Sequence, residues 1–302
     1  MVPLSLPIID MAELDKGPAG RARLVGALKS AATANGFFYM VNHSVPASLL
    51  VEIMEQARRF FRLEIKSKLA ISAVRPSGLG YGIMGSRTDQ GAPGVNAKEE
   101  FYYARDGVPG LDEQNSWPAG LPGFRDTLVT YIDGMHELAA QTMSLLAQSM
   151  GLPEDYFDEF CREPVATTRL VKYPIEGAQA GAHTDFGALT FLLQDSSGGL
   201  QVFDKSSNQW IEATPLPGSF VVNLGDLFEI WTNRTYRSSL HRVVHTAAQD
   251  RFSIPFFLNG AANYLVQCLP QFLEPGKAPT LAPTTPTKRL DAGYVEQGLR
   301  PT

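Results

Sequence analysis

From residue 166 onward the chain breaks into short apolar and β-branched stretches separated by turn residues, and this constrains the fold more than any other feature. The spacing predicts strands at Thr168–Tyr173, Leu189–Asp195, Leu200–Phe203, Phe220–Leu224, Leu240–His245, Phe252–Leu258 and Tyr264–Gln267. Ser196-Ser197-Gly198-Gly199 and Pro215–Gly218 supply turns between them. Many short strands at this interval suggest a sandwich or jelly roll rather than a doubly wound sheet, so the fold class expected is mainly β with flanking helices.

The first half reads differently. Leu24, Leu28 and Ala31 keep a helical period, and Asn35-Gly36 stops that helix before the apolar run Phe37–Val41. Pro46 stands where a first helical residue is expected, and Leu49, Ile53, Ala57 and Phe60 or Phe61 continue one apolar face behind it. Residues 72–96 are rich in glycine and proline and predict an irregular segment near a binding surface. A long helix is expected over Phe124–Met150, with Leu128, Ile132 or Tyr131, Met135, Leu138, Thr142 and Leu145 on its buried stripe. The last thirty residues are rich in proline and threonine, with a helix expected around Asp291–Gly298.

Length and composition exclude some functions. A chain of 302 residues, 44% hydrophobic and 19% charged, can bury a sizeable core. A net charge of -5 gives no reason to expect nucleic acid or an anionic membrane as partner. No apolar run is long enough for a membrane-spanning helix, and Met1 to Asp10 does not read as a secretory signal. Cys161 and Cys268 are isolated, so the expected compartment is the reducing cytoplasm. Nothing in the chain demands a protein partner.

Five histidines are present, at 43, 136, 183, 241 and 245. His183 and Asp185 lie two residues apart, and in a strand ending near residue 185 they would share one face. Two imidazoles and one carboxylate on one side of a metal form the facial triad of non-haem Fe(II) oxygenases. His241 and His245 could each be the second imidazole; at ~3.3 Å per residue they stand about 13 Å apart, so only one reaches that metal. His136 is expected to be structural and His43 to make turn hydrogen bonds. Arg251 and Ser253 repeat the two-residue spacing, which places a guanidinium beside a hydroxyl, suited to one carboxylate of a bound diacid. Arg251 also adjoins the apolar run Phe252–Leu258, where an unpaired inward charge would be costly, so an anionic partner is expected.

The surroundings of these residues resemble a known family. Gly181-Ala182-His183-Thr184-Asp185-Phe186-Gly187-Ala188-Leu189-Thr190 is similar to the HxD signature of isopenicillin-N-synthase-like 2-oxoglutarate/Fe(II)-dependent dioxygenases. Gly225-Asp226-Leu227, Trp231-Thr232-Asn233 and Ser239-Leu240-His241-Arg242-Val243 resemble the segment carrying that family's second histidine, and Arg251-Phe252-Ser253 falls at its RxS position. Upstream, Asn35-Gly36-Phe37-Phe38-Tyr39 through Asn42-His43 and Val45-Pro46 is similar to its N-terminal signature, as is Lys98-Glu99. The resemblance covers nearly the whole chain.

The resemblance implies Fe(II) held by His183, Asp185 and His241, with His245 left as a structural or pocket-edge residue. It implies 2-oxoglutarate held by Arg251 and Ser253, and by Tyr173, although Val171 stands where the family often has asparagine. It implies O2 as cosubstrate, conversion of 2-oxoglutarate to succinate and CO2, and hydroxylation, desaturation or cyclisation of a small-molecule substrate. Tyr81, Met84, Arg87, Phe101, Tyr103, Phe186, Phe257 and Asn259 fall in the regions that line the family's substrate pocket, an aromatic wall suited to a planar or hydrophobic molecule. The expected organisation is a helix-rich dioxygenase N-terminal region over 1–120 and a connecting long helix over 121–164. A double-stranded β-helix core follows over 165–268, then a tail over 269–302 that serves as a lid. Two alternatives stay open on the residues alone: an Fe(II) oxidase of the same fold that does not use 2-oxoglutarate, and a zinc hydrolase, which would have no use for Arg251 and Ser253.

Overall fold

The computed structural model describes residues 5–73, 78–82, 98–108, 114–175, 179–246 and 248–296. A short strand, Ile8–Asp10 (β1), and a 3-10 turn over Met11–Lys16 lead into the helix Gly17–Ala34 (α1), which buries Leu24, Leu28 and Ala31 as its period predicts. Gly36 ends this helix by adopting a φ of +73°, with its N–H donating to the Ala31 carbonyl at 2.9 Å. The chain then extends as Phe37–Val41 (β2). In the next helix, Ala47–Phe61 (α2), Pro46 is the cap rather than the first helical residue. Ile65–Leu69 (α3), the strands Gly80–Gly82 (β3) and Glu99–Ala104 (β4), the long helix Phe124–Ser149 (α4) and Asp158–Cys161 (α5) complete the first half. Most of the expected irregular segment 72–96 lies outside the described residues.

The second half holds Val165–Tyr173 (β5), Gln179–His183 (β6), Leu189–Gln194 (β7), Leu200–Asp204 (β8), Gln209–Glu212 (β9) and Phe220–Leu224 (β10). After the helix Asp226–Trp231 (α6) come His241–Val244 (β11), Arg251–Gly260 (β12) and the helix Pro286–Glu296 (α7). One sheet runs β1-β2-β10-β7-β12-β5-β4-β3 and the other β6-β11-β8-β9. From β5 to β12 the chain shuttles repeatedly between the two sheets, with antiparallel pairing throughout. That topology is a jelly roll, the double-stranded β-helix expected.

Three expectations need correction. Tyr264–Gln267 is not a strand and carries only the isolated bridge Val266↔Thr284. Strand β9 was not anticipated, because it is short and half polar and shows no clean apolar alternation, and the strand expected to end near residue 185 ends at His183 instead (β6). The last helix starts at Pro286, five residues before the expected start.

Two cores follow from strand alternation. The outer face of the large sheet meets α1, α2 and α4 in the main core, which includes Leu28, Phe60, Leu128, Leu170 and Phe256. Next to Leu170, Val171 points the other way, into a second core between the sheets with Phe37, Tyr173, Leu200, Val202 and Val243. The inter-sheet core is the smaller of the two.

A methyl group at Gly36 would lie 1.9 Å from the Arg237 carbonyl oxygen in a left-handed backbone. Gly36→Ala is expected to cost about 2–5 kcal/mol, the sum of left-handed strain and overpacking, read as a lower midpoint in urea unfolding. An unchanged midpoint would show that the junction between α1 and β2 does not hold the sheet.

Candidate active site

His183 closes β6 and His241 opens β11, and the two are direct partners in the small sheet. Their ring centroids are 4.3 Å apart. Nδ1 of His183 lies 2.7 Å from the Gly181 carbonyl, and Nδ1 of His241 lies 3.3 Å from the Ser239 carbonyl. A carbonyl oxygen only accepts, so each Nδ1 carries the proton and each Nε2 presents a lone pair. These two lone pairs face Asp185, whose Oδ1 lies 3.9 Å from His183 Nε2 and 3.7 Å from His241 Nε2.

The route by which Asp185 arrives differs from the expectation. β6 ends at His183, so Asp185 belongs to a loop and strand alternation does not orient it. Backbone docking does. The Asp226 N–H donates to the Asp185 carbonyl at 2.8 Å, Gly225 N–H to Ala188 at 2.8 Å, and Ala188 N–H to Leu258 at 2.9 Å. Such close approach leaves no room for side chains: a Cβ on Gly225 would sit 2.2 Å from the Gly187 carbonyl oxygen, and one on Gly187 2.4 Å from Asn259 Oδ1. Asp185 Oδ2 then accepts from Thr190 Oγ1 at 2.5 Å and Asn223 Nδ2 at 2.8 Å, which leaves Oδ1 turned to the imidazoles.

Burial by itself would raise the Asp185 pKa, but His241, His183 and the bonds from Asn223 and Thr190 outweigh it and hold the carboxyl below its ordinary range. Desolvation first, then the neighbouring His241, push His183 down to about 4. At neutral pH the cluster therefore offers a carboxylate at Asp185 and a neutral imidazole at His183, with His241 Nε2 beside them. Donors that share one ion at ~2.1 Å must lie within about 4.2 Å of each other, and both carboxylate–imidazole separations meet that limit. Among the described residues this trio is the one group of at least three such donors that could hold a metal ion.

Arg251 is fully buried, with its guanidinium 4.9 Å from the Tyr173 ring, its register partner. Its Nε donates to the Gly198 carbonyl at 2.6 Å, one terminal nitrogen to Ser253 Oγ at 3.0 Å and the other to Gln194 Oε1 at 3.4 Å. Two of its five N–H groups remain. Desolvation pulls its pKa down, while Tyr173, Asp195 and Glu212 oppose that shift. Among the described residues no ion pair reaches it. Tyr173 shares the inter-sheet core with Leu200, Val202 and Val243 of the small sheet, and Val202 is the register partner of His241.

The remaining expectations divide. Phe257 is half-buried on the inward face, opposite Thr190 across β12 and β7. Phe186 is half-buried beneath α7: Arg289 stands 4.8 Å from its ring, Tyr294 packs edge-on at 6.2 Å, and Gly293 leaves no space for a methyl. Tyr81, Phe101 and Tyr103 lie in the main core on the helix side of the large sheet, away from the inward face, with Phe60 packed on both Tyr81 and Phe101. Tyr81 also donates to Glu99 at 2.7 Å. Asn259 is buried against Gly187 and packs the loop. Met84 and Arg87 lie outside the described residues. His245 contacts the Gln249 carbonyl at 2.8 Å, His136 packs on Phe256 and His43 on Phe220. Sequence reasoning missed Thr190, Asn223 and Gln194, whose roles depend on cross-strand register.

Comparison with known proteins agrees with this geometry. Residues 163–260 match the family model of the 2OG-Fe(II) oxygenase superfamily, and residues 6–120 match that of the non-haem dioxygenase in morphine synthesis N-terminal region. The chain is 34% identical to the 2-oxoglutarate-Fe(II) type oxidoreductase hxnY of Emericella nidulans, over 97% of this chain and 90% of the relative. It superposes on a full-length Neurospora crassa protein in complex with alpha-KG with a TM-score of 0.88, at 29% identity and 96% coverage of each chain. JOX2 in complex with 2OG, Fe and JA superposes with a TM-score of 0.83, at 29% identity over 99% of this chain and 90% of that one. Motif order, sheet topology and these likenesses lead to one assignment: the chain belongs to the 2-oxoglutarate/Fe(II) oxygenase superfamily and is an Fe(II)- and 2-oxoglutarate-dependent dioxygenase.

Proposed function

We propose that His183 Nε2, His241 Nε2 and Asp185 Oδ1 hold the ferrous ion, and that Arg251, Ser253 and Tyr173 bind the far carboxylate of 2-oxoglutarate. The reaction on the primary substrate is hydroxylation, desaturation or cyclisation, and that substrate is a small, largely apolar organic molecule. One observation carries the reading. Three donors with free lone pairs converge at one end of the inter-sheet space, and a fully buried guanidinium with two spare N–H groups opens on the same space. A buried cation without a carboxylate beside it is costly, and a diacid that reached from the donors to Arg251 would neutralise it.

The ion, when bound, supplies the oxidising chemistry with O2 and 2-oxoglutarate; the protein supplies position and environment. Gly181 and Ser239 fix the imidazole tautomers. Thr190 and Asn223 hold the carboxylate to a single free oxygen. Gly198 and Gln194 hold the Arg251 fork, so little rotamer freedom is left to lose when the diacid binds. Phe257 and Phe186 provide apolar surface beside this centre, and α7 covers Phe186 as a lid. Among the described residues no helix is long and apolar enough to cross a membrane, and both cysteines are free, which suits a cytoplasmic location.

Asp185→Ala is expected to abolish ferrous binding in equilibrium dialysis and to lower 2-oxoglutarate-dependent succinate formation at least about a hundredfold. Retained turnover would refute the triad. Arg251→Gln should weaken 2-oxoglutarate binding roughly 10- to 100-fold in a titration of the metal-loaded chain, the loss of a charge-assisted bond worth ~1.5–3 kcal/mol. Unchanged affinity would move the diacid elsewhere. Asn223→Ala, which leaves all three ligands in place, should weaken metal binding by about 10-fold or more. Oxygen uptake that does not depend on added 2-oxoglutarate would favour an oxidase instead.

A further inference from the structure

The inward face of the large sheet carries a second arginine that this assignment leaves without a role. Arg169 lies on β5, two residues from Val171, which is the register partner of both Ser253 and Glu100. Successive inward positions on a strand are about 6.6 Å apart, so Arg169 is one step from the row that contains Ser253. Its guanidinium stacks 4.1 Å from the Tyr102 ring and 5.1 Å from the Phe257 ring. Phe257 faces Thr190 across the strands, and Thr190 holds Asp185. Arg169 therefore sits close to both the diacid-binding row and the metal-binding cluster.

The charges at this corner are mostly buried. Glu100, with its side chain 4% exposed, has Arg169 at 3.4 Å and Lys98 at 3.8 Å. The Arg169 and Lys98 side chains are 20% and 14% exposed. Among the described residues two cations therefore lie beside this carboxylate, Arg169 at 3.4 Å and Lys98 at 3.8 Å. Arg169 Nε is buried and has no hydrogen-bond partner among the described residues. A buried donor left unpaired is costly, and the Nε edge of a guanidinium is the edge that grips a carboxylate with two parallel bonds. The aromatic rings hold the guanidinium plane in place in advance of any ligand.

We propose that Arg169, assisted by Lys98, is the specificity-determining anchor of the primary substrate, and that this substrate is a small carboxylic acid with an apolar body. The acid group takes the open edge of Arg169, and the body lies along Phe257 toward the metal-binding cluster. This rests on the dioxygenase assignment and adds the substrate class to it. Asn or Gln at position 169 would suit a neutral amide instead, and an apolar residue there would suit a hydrocarbon.

The test uses the full chain loaded with Mn(II) and 2-oxoglutarate, with the 2-oxoglutarate titration recorded first. Matched pairs of acid and primary amide are then titrated calorimetrically: benzoic acid and benzamide, phenylacetic acid and phenylacetamide, 1-naphthoic acid and 1-naphthamide. At least one acid is expected to bind tenfold or more tightly than its amide, and Arg169→Gln should reduce that preference to twofold or less. Equal affinities within every pair, no binding by any acid, or a preference that survives Arg169→Gln would overturn the proposal. Should Arg169→Gln show no melting transition, Arg169→Lys, which keeps the charge but loses the fork, should lower the acid preference at least threefold, and an undiminished preference would count against it. A chain that binds no 2-oxoglutarate would fail the cosubstrate assignment instead, and the acid–amide comparison is then made on the Mn(II)-loaded chain with the same criteria.

Discussion

The active site depends on a backbone-to-backbone lock. The loop after β6 lies against Gly225–Leu227 on one side and Leu258 on the other, held by main-chain hydrogen bonds at 2.8–3.2 Å. Gly187 and Gly225 allow that approach because a Cβ on either would overlap a neighbour. Asp185 is then fixed by its own carbonyl as well as by its carboxylate, with Thr190 and Asn223 as side-chain anchors. A strand could have carried the histidines alone. The third donor needs this lock, because it lies beyond the end of β6 and enters the cluster from a different backbone direction.

Charge is placed by the same two sheets. The outer face of the large sheet is paired with helices and buries hydrocarbon, and there Tyr81 donates to Glu99. The inner face carries Arg251, Ser253, Gln194, Arg169 and Glu100 in adjacent register rows. Burying two guanidinium groups between sheets is unfavourable unless each has an anion or a full set of acceptors. Arg251 has acceptors for three N–H groups, Arg169 has a shared carboxylate, and both retain capacity for a ligand. Under the proposed assignments, ligands would complete these two incompletely satisfied cations.

Legibility from sequence varied with the range of the determinant. Local signals located most elements: helical periods for α1, α2 and α4, and apolar strand runs for β5, β7, β8, β10, β11 and β12. β9 escaped because it is short and polar, and β6 was expected only through the His183–Asp185 spacing, which overran its true end at His183. Tyr264–Gln267 has strand-like composition but gains only the isolated bridge between Val266 and Thr284. In Phe101-Tyr102-Tyr103 the alternation shows that two faces exist but does not say which one turns inward. The structure sends Phe101 and Tyr103 to the helices and Tyr102 to the interior, so two residues expected at the pocket are core and the one between them stacks on Arg169.

The sequence by itself determined the chemistry on offer: the donor types of His183, Asp185 and His241, the Arg251–Ser253 pair, and a strand-rich second half able to hold them. Residue identity and short spacing carry that information because donor atoms and strand period are local properties. Only the tertiary structure decided how those residues meet, which face of each strand turns inward, and that Arg169 shares the interior with Arg251 and Ser253. These depend on cross-strand register and on loop docking between segments as far apart in sequence as Val165 and Gly260, and pairwise contacts of that kind leave no periodic mark on the chain.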